Sequence, residues 1–320
     1  MLTATNDELD YFAGQIDGDG KVIIGKNQNL VVGIDKAKKA YMVLEEAKRL
    51  FQGQIYKKCD ATDKSQEQHQ YVVNSVDAYE VVCAIKDRSW VKRKQLQTAS
   101  TFDMTLKVSV IAEKDDKIMT HRSITACAAY FGVHEQRIRR LLAKVDPQID
   151  DWCLRLVRQD QAAVKASRDA VDQELRRLKH VPHDPITAPL TFAYIAGFFD
   201  AEGSISFMTL ATWKISIPQQ HPEILYALQR QFGGNVFVSK KTNAAAWTLY
   251  ARLARPLLES ILPYLREKRE QVEIILKFDP KKDDANEIRD RLSLLKGNVT
   301  PQRKPLGLYV RPSRKPLAAS

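Results

Sequence analysis

The sequence predicts an α+β protein that contains one αββαββα unit twice, with a helical segment inserted between the copies. Residues 12–20 read FAGQIDGDG and residues 195–203 read IAGFFDAEG. The two segments share an Ala-Gly pair, an aspartate, a small residue, an acid and a glycine in register, which chance rarely produces. Each follows an apolar, helix-compatible stretch and precedes an alternating run typical of a strand. The copies therefore predict internal pseudo-twofold symmetry.

The first motif is followed by two strands, a helix, a hairpin and a final helix. These elements are predicted at 21–27, 29–35, 40–53, 53–59 with 69–76, and 90–97. Gly53 stands where a left-handed residue commonly ends a helix. The last helix carries the basic cluster WVKRKQLQ. The first repeat is accordingly assigned to residues 1–112.

The second motif is followed by the same elements in the same order. They are predicted at 204–210, 213–219, 222–234, 235–241 with 245–253, and 264–271. Gly233 and Gly234 again mark a helix C-terminus. The final helix contains YLREKREQ, a second basic cluster. The second repeat is assigned to residues 188–300, and a basic, proline-containing tail follows at 301–320.

Residues 113–187 have no counterpart in either repeat and are predicted to be a helical insertion. The charged segment 113–122 is interpreted as a linker, and 123–145 has the apolar pattern of a helix-turn-helix. Its second helix, 134–144, would be the recognition helix and bears Arg137, Arg139 and Arg140. A helical spacer that only bridges the repeats is the alternative, because so short a segment supplies a small core.

The segments after the helix-turn-helix are predicted to lead back to the second repeat. Residues 152–179 are amphipathic and predict one long helix, and the proline-rich stretch 180–189 predicts a joint.

The chain is basic, which favours an anionic partner. Its 320 residues contain 50 Lys and Arg against 39 Asp and Glu, giving a net charge of +11. Nucleic acid is the commonest such partner, because each cation placed on a phosphate releases a condensed counterion. The alternative is a basic protein whose charge only aids solubility.

The cysteines and the apolar runs exclude several classes of protein. The four cysteines are widely spaced without a Cys-x-x-Cys pair, so neither a zinc knuckle nor a disulfide framework is predicted. The acidic start lacks a signal peptide, and no apolar run reaches the roughly 18 residues of a membrane span. We expect a soluble protein, beginning near Met1, in a reducing compartment.

The motifs place small residues at helical spacing, which predicts a close helix pair. The small side chains are those of Ala13, Gly14 and Gly18 in the first motif and of Ala196, Gly197 and Ala201 in the second. Packing these faces together brings the helix ends, and so Asp19 and Glu202, to the centre of the molecule. Two adjacent carboxylates stay ionised only if cations lie between them. Mg²⁺ prefers such oxygen ligands and retains phosphate oxygens and waters.

With both motifs intact, the chain resembles the single-chain, two-motif LAGLIDADG homing endonucleases. The resemblance covers about residues 7–112 and 188–300. It implies a monomeric, site-specific endonuclease that uses a divalent metal to hydrolyse one phosphodiester on each DNA strand, leaving a staggered cut with 3′ overhangs. It also implies roughly two or three Mg²⁺ ions, with Mn²⁺ as a substitute and Ca²⁺ bound without cleavage.

The resemblance also assigns roles to individual residues. The implied metal site comprises Asp19 and Glu202 with Gly18 and Ala201. The earlier acids Asp17 and Asp200 would instead cap or salt-link near a helix end. Lys36 and Gln219, each 17 residues after its acid (36 − 19 and 219 − 202), match the polar residue that orders attacking water. Lys94 and Lys268 match the basic residue beside the scissile phosphate.

Alternation along the strands predicts which side chains face the DNA major groove. The predicted base or phosphate contacts are Lys21, Asn27, Lys57, Gln68 and Gln70 in the first repeat, and Lys214, Ser216, Ser239, Lys241 and Thr248 in the second. A slip of one residue would invert any strand's assignment. Because the repeats differ, we expect a long, non-palindromic double-stranded target.

Two other functions remain open from the sequence. A group I intron maturase would use the same fold to hold intron RNA, and a transcription regulator would combine a degenerate motif with the helix-turn-helix. Retention of both acids and of the basic residues favours the endonuclease. The compartment expected is one that holds DNA, such as a chloroplast, a mitochondrion or a bacterial or phage-infected cytoplasm.

Overall fold

The structure is a computed structural model, and it describes residues 4–25, 29–61, 66–102, 104, 108–121, 123–158, 161–179, 181, 185–239 and 244–296. Asn27, Lys241 and the tail 301–320 lie outside the described residues. Three antiparallel sheets of four strands each organise the chain. One sheet belongs to each repeat and the third to the insertion.

Within its described residues, the first repeat contains four α-helices and one sheet. Its elements are α1 (Asn6–Asp19), β1 (Gly20–Ile24), β2 (Leu30–Ala37), α2 (Tyr41–Phe51), β3 (Gln54–Cys59), β4 (Gln68–Asn74), α3 (Ser75–Ile85) and α4 (Arg93–Ala99). The strand order is β1-β2-β4-β3. Thr5 and Glu8 start α1 with a capping box, each side chain accepting a hydrogen bond from the other's backbone N–H. The prediction missed α3.

The insertion contains four strands in addition to the predicted helical pair. Its elements are β5 (Val108–Lys114), β6 (Lys117–His121), α5 (Ile124–Tyr130), α6 (Glu135–Leu142), β7 (Gln148–Ile149), β8 (Trp152–Arg158) and α7 (Gln161–Leu178). The sheet order is β6-β5-β8-β7. The segment interpreted as a linker from residue 113 is therefore a hairpin, and that interpretation is wrong. The helix predicted over 152–179 is also wrong in its first quarter, because 152–158 forms a strand that pairs with β5.

The second repeat has the same arrangement and one further helix. Its elements are α8 (Phe192–Glu202), β9 (Ser204–Thr209), β10 (Thr212–Gln219), α9 (Pro222–Phe232), β11 (Asn235–Val238), β12 (Ala245–Tyr250), α10 (Ala251–Ile261), α11 (Arg269–Lys277) and α12 (Ala285–Leu295). The strand order β11-β12-β10-β9 mirrors that of the first sheet. The strand predicted to reach residue 253 ends at Tyr250, where α10 begins.

The two motif helices, α1 and α8, pack against each other with their backbones nearly in contact. A Cβ built at Gly14 would collide with the Tyr194 carbonyl, and one at Gly197 would collide with the Tyr11 carbonyl. Glycine is required at both positions because the opposing atoms are backbone and cannot move aside. The predicted small-residue helix pair is confirmed.

The glycines that follow the motif acids are required for packing rather than for a special turn. Gly20 and Gly203 have extended backbones that any residue adopts. A Cβ at Gly20 would lie 2.5 Å from Ile16 Cα, and one at Gly203 would strike the Phe199 ring. Glycine at these positions allows the backbone at the start of each strand to pack directly against the preceding helix.

Two separate hydrophobic clusters support the fold. The larger one joins both repeats and includes Val171 and Leu175 of α7. The smaller one lies within the insertion and includes Val110, Cys127 and Ile138. The insertion thus has its own core, while α7 packs on the repeats. No helix in the described part of the chain is long and apolar enough to cross a membrane.

Candidate active site

The earlier acid of each motif is buried and binds backbone N–H groups. Asp17 accepts hydrogen bonds from the backbone N–H groups of Trp90, Val91 and Lys92, at 2.7, 3.0 and 2.8 Å. The Ser89 hydroxyl also donates to it. These N–H groups precede α4, so the carboxylate satisfies the free donors of a helix start. Both carboxylate oxygens of Asp17 therefore have a structural role in holding the start of α4.

Asp200 makes the equivalent bonds in the second repeat. The backbone N–H groups of Arg266, Glu267 and Lys268 donate to it at 2.8, 3.1 and 2.8 Å. The two networks thus align residues 90–92 with residues 266–268. The prediction that Asp17 and Asp200 cap a helix end agrees with this geometry.

A tyrosine from the opposite repeat completes each of these two caps. The Tyr194 hydroxyl donates to Asp17 at 2.7 Å, and the Tyr11 hydroxyl donates to Asp200 at 2.8 Å. Burial, reinforced by the neighbouring carboxylate, raises the pKa of both phenols well above the ordinary value, so both remain donors. Each motif helix is therefore locked to the other repeat's network.

The later acids lie together where α1 and α8 end. A Cβ at Gly18 would lie 3.2 Å from Glu202 Cγ, and it would touch the Cβ of Ala201. Burial first, and then the nearby Asp19 carboxylate, raise the pKa of Glu202. No side chain in the described ranges donates a hydrogen bond to Glu202. The two acids thus bring negative charge together at the junction of the helices, and the nearby Lys92, Lys268 and Lys36 offset part of it.

Lys36 is buried and lies between two carboxylates. Its Nζ is 2.7 Å from Asp19 Oδ2 and 2.9 Å from Glu267 Oε2, and only 3% of its side chain is exposed. Burial disfavours the charged form, but Glu267 and Asp19 more than offset this effect and raise the pKa of the ammonium. Lys36 therefore stays protonated and fixed beside Asp19.

Gln219, the counterpart of Lys36, is uncharged and lines a cavity. The cavity has a volume of about 290 Å³ and is also lined by Val91, Lys92, Gly18 and Lys179. The cavity opens beside the helix ends and is bordered by several cations and amides.

Lys92 and Lys268 occupy equivalent positions against the ends of the motif helices. Lys92 Nζ donates to the carbonyls of Ile16 at 2.6 Å, Asp17 at 2.8 Å and Gly18 at 3.2 Å. Lys268 Nζ donates to the Phe199 carbonyl at 3.0 Å and to the Asp200 carbonyl. Burial lowers the pKa of both ammonium groups. Each cation caps the negative end of its helix, where the acids also lie.

This equivalence corrects the residue aligned with Lys268 in the first repeat. The sequence alignment chose Lys94, but the backbone bonds to Asp17 and Asp200 equate Lys268 with Lys92. Lys94 lies inside α4, one half-turn beyond the cap. The basic residue of the first repeat at this site is Lys92.

The oxygen atoms at the helix junction fit a hard divalent cation. Asp19 and Glu202 supply carboxylates, and the Gly18 carbonyl near the end of α1 accepts a hydrogen bond from Lys92. Hard cations take such oxygen ligands with additional waters. Burial first, and then the charge of Asp19, raise the pKa of Glu202, and a cation between the two acids would favour its ionised form. No group of three or more His, Cys, Asp and Glu forms a metal cluster in the parts of the chain that the structure describes.

The sheet faces that point away from the helices carry most of the predicted DNA-contacting side chains. Strand register places Lys21 opposite Gly33, Gln70 opposite Asp35, and Ser216 opposite Thr248 on these faces. Lys214, opposite Ser206, and Gln68, opposite Ala37, share the same orientation. Ser239 follows β11 and is exposed, whereas Thr248 is only 4% exposed. Contact with DNA stays a prediction for these residues.

The assignment of Lys57 to the outer face is wrong by one residue. Lys57 pairs with His69, which pairs with Lys36, so it shares the helix-facing side. The next residue, Lys58, points outward, where its Nζ is 2.5 Å from Asp35 Oδ2. An irregularity between Lys57 and Cys59 shifts the register at this edge. Lys58 is therefore the cation on the outer face of β3.

The arginines of the insertion's second helix differ in availability. Arg139 forms an ion pair with Glu135 one turn earlier. Arg137 and Arg140 are exposed, and neither has an ion-pair partner among the described residues. Ile138 between them is fully buried in the insertion core. The exposed face of α6 thus carries two unpaired cations.

Three residues at the site were missed by the sequence interpretation. Lys92 belongs to a cluster that offered several cations, and only the bonds to Asp17 identify it. Glu267 lies between Arg266 and Lys268 in the basic segment YLREKREQ. An acid among these cations is the sequence feature that could have pointed to it. Lys179 directly follows α7 and lines the cavity from the insertion side, which sequence spacing does not indicate.

Comparison with known proteins identifies the fold. No protein-family model matches the chain, and no curated protein matches it. Meganuclease I-SmaMI bound to uncleavable DNA is 13% identical with a TM-score of 0.53, covering 92% of this chain and 98% of that chain. The LAGLIDADG homing endonuclease I-GzeII in complex with its DNA target is 14% identical with a TM-score of 0.52, covering 92% and 99%. I-SmaMI bound to uncleaved DNA with calcium ions is 12% identical with a TM-score of 0.53, covering 92% and 98%. The protein has the LAGLIDADG homing endonuclease fold, as the motifs predicted.

Proposed function

We propose that the protein is a site-specific double-strand DNA endonuclease that hydrolyses one phosphodiester on each strand. The observation that carries this proposal is the meeting of Asp19 and Glu202 at the ends of two abutting helices, with a lysine against each helix end. The structurally similar I-SmaMI and I-GzeII are bound to DNA, which supports double-stranded DNA as the substrate.

A divalent cation held by Asp19 and Glu202, with the carbonyls of Gly18 and Ala201 beside them, would activate water and neutralise charge on the phosphate. We propose Mg²⁺ for this role, with Mn²⁺ as a substitute. The similar I-SmaMI complex with uncleaved DNA in the presence of calcium ions supports a divalent-metal site, and we expect Ca²⁺ to bind here without cleavage.

The protein's own side chains have distinct tasks in this proposal. Gln219 and Lys36 hold and orient water on either side of the two acids. Lys92 and Lys268, held against the ends of the motif helices, would stabilise the negative charge that develops on the oxygens of the attacked phosphate, because a fixed cation nearby lowers the barrier. Two such sites flanking one helix pair would cut the two strands at offset positions, giving 3′ overhangs.

The outer sheet faces would read the target in the major groove. Lys21, Gln70, Lys214 and Ser216 are the long or polar side chains that base and phosphate contacts require. The sheets differ in these positions, so the target would be long and non-palindromic. A monomer provides both halves.

We propose that the insertion adds a second DNA contact through Arg137 and Arg140 of α6. A small folded unit with a helical pair and flanking strands can present its second helix to the major groove. Replacing both arginines with alanine should weaken DNA binding and reduce its salt dependence by about two phosphate contacts. Replacing the ion-paired Arg139 is the matched control. Unchanged binding in the double variant would make the insertion a spacer.

The test of the function is a cleavage-site selection from a randomised duplex library in Mg²⁺. The expected result is one enriched site cut on both strands by the unmodified protein. Asp19→Asn/Glu202→Gln should lose cleavage by at least about 1,000-fold while retaining DNA binding. Asp7→Asn/Glu45→Gln, which removes two exposed carboxylates, is the control and should cut normally.

An outcome without cleavage would redirect the assignment. Binding of intron RNA with assisted splicing would identify a maturase, and sequence-specific duplex binding without cutting would identify a regulator. Cleavage that survives in Asp19→Asn/Glu202→Gln would show that the acids are not the catalytic centre.

A further inference from the structure

The two sites differ at a pair of positions that lie in contact. Lys36 of one site corresponds to Gln219 of the other, each 17 residues after its acid. Glu267 corresponds to Val91, because each is the middle residue of the three whose N–H groups bind a buried aspartate. Lys36 and Glu267 form an ion pair, whereas Gln219 and Val91 line the same cavity.

The two differences compensate each other in charge. The pair Lys36 and Glu267 sums to zero, as does the pair Gln219 and Val91. A buried ammonium requires a carboxylate partner, because an unpaired charge in the interior is strongly unfavourable. The side chain of Glu267 is 11% exposed. Burial raises its pKa, but Lys36 and Lys268 outweigh this effect and lower the pKa. Glu267 is thus ionised beside Lys36.

Without Glu267, Asp19 would be the principal carboxylate balancing Lys36. Its Oδ2 would then be held by the ammonium at the place where a divalent cation needs a free carboxylate. Glu267 gives Lys36 a second partner at 2.9 Å, so Asp19 can exchange the ammonium for a metal ion. Asp19 is also the more accessible partner, with 34% of its side chain exposed.

We propose that Glu267 is a positioning residue that retains Lys36 and thereby leaves Asp19 available to a divalent cation. This inference rests on the proposed function, since it takes Asp19 as a metal ligand. It assigns to the charged site a third carboxylate that does not bind metal. The other site, with Gln219 and Val91, requires no such residue because it has no ammonium at the position of Lys36.

The test measures cation binding by the full-length, DNA-free protein with Tb³⁺ as the probe and Ca²⁺ as the competitor. Glu267→Gln and Glu267→Val should weaken Tb³⁺ binding about 10-fold or more, as loss of an outer-shell partner typically does. Lys36→Gln/Glu267→Val, which copies the site with Gln219 and Val91, should restore binding to within about threefold of the unmodified protein. Glu270→Gln, which removes an exposed carboxylate nearby, is the control.

A conservative variant separates positioning from simple electrostatic attraction. Glu267→Asp keeps the charge but shortens the side chain, so Lys36 moves toward Asp19 and binding should still weaken measurably. Electrostatics alone predicts no change in this variant. Urea unfolding of each variant, in metal-free buffer, checks that it is folded.

Each outcome assigns the failure to one statement. Tb³⁺ binding that is unchanged in Asp19→Asn would overturn the metal site and the proposed function with it. Weak binding in Asp19→Asn but unchanged binding in Glu267→Asp and Glu267→Val would overturn only the role of Glu267. A Lys36→Gln/Glu267→Val protein as weak as Glu267→Val would do the same.

Discussion

The two repeats are alike where side chains bind backbone and differ where side chains face the catalytic acids. Asp17 and Asp200 each accept hydrogen bonds from three equivalent backbone N–H groups of their own repeat. A tyrosine from the opposite repeat completes each cap. Beside the later acids, however, one repeat places Lys36 and the other places Gln219. The frame of the site tolerates little change because many donors depend on one carboxylate. The groups that meet water and phosphate can change, provided that their charge is balanced.

The largest expected effect comes from the contact that both repeats share. Gly197→Ala puts a methyl group into the Tyr11 carbonyl, and neither helix can move without breaking the caps. We expect a loss of more than about 4 kcal/mol in the free energy of unfolding, or no folded protein at all. Urea denaturation followed by circular dichroism measures it.

A glycine in the insertion provides the control for this substitution. Gly132 has a φ of +62° but no atom within 4 Å of an added Cβ. Gly132→Ala should therefore lose only about 1 kcal/mol, from the left-handed backbone. Equal losses at Gly132 and Gly197 would mean that helix contact is not the reason for glycine in the motif.

The second prediction separates the two sites by strand. Lys92→Met and Lys268→Met should each slow the cutting of a different strand by about 100-fold, because each removes one fixed cation. A duplex of the selected target, labelled differently at each 5′ end, measures the two rates. Lys94→Met is the control and should leave both rates within about threefold. If Lys94→Met impairs a strand and Lys92→Met does not, the alignment of Lys92 with Lys268 is wrong.

The motifs allowed the sequence to predict the centre of the site but not its surroundings. Asp19 and Glu202 follow from the repeated helix with small residues, since helix packing alone brings the ends together. Lys92 could not be identified by counting, because it lies 75 residues after Asp17, whereas Lys268 lies 68 after Asp200. The segments that join β3 to α4 and β11 to α11 differ in length, so equal residue spacing does not align the two repeats here. Only the hydrogen bonds to the buried acids restore it.

The insertion shows a different reason for failure. Residues 113–121 are rich in charge, and that composition outweighed the strand pairing of a short hairpin around Asp115 and Asp116. Strand β8 has only seven residues and helix α7 begins at Gln161, so the amphipathic pattern of 152–179 predicts a single helix. The missing information was the pairing of β5 with β8, which is a long-range contact.

The third prediction tests whether the two caps are equally strong. Tyr11→Phe leaves Asp200 with its three backbone donors, whereas Tyr194→Phe leaves Asp17 with three backbone donors and the Ser89 hydroxyl. The loss should therefore be larger for Tyr11→Phe, at about 2 kcal/mol, than for Tyr194→Phe, at about 1 kcal/mol. Urea unfolding at neutral pH measures both, with the exposed Tyr226→Phe as the control. The reverse order would show that Ser89 does not support Asp17.

The smallest expected effect is a pH dependence of the stability of the insertion, which the two repeats should not share. His121 is 8% exposed, its Nε2 has no hydrogen-bond partner in the described structure, and its ring packs 5.1 Å from that of Tyr130. Burial lowers the pKa of this imidazole below its ordinary value of 6.5. The folded state therefore binds fewer protons than the unfolded state. The contribution of His121 to the free energy of unfolding is fully present above the pKa of the unfolded state. It is lost as the pH falls through the lower pKa of the folded state.

His121→Phe keeps the aromatic contact but cannot be protonated. Native-state hydrogen exchange between about pH 8 and pH 5 should therefore show less loss of protection in α5 and β6 for this variant than for the unmodified protein. Amides in α1 and α8 should respond equally in both proteins, because the insertion core is separate from the core that joins the repeats. A change in α1 and α8 that follows His121 would show instead that the insertion and the repeats unfold as one unit.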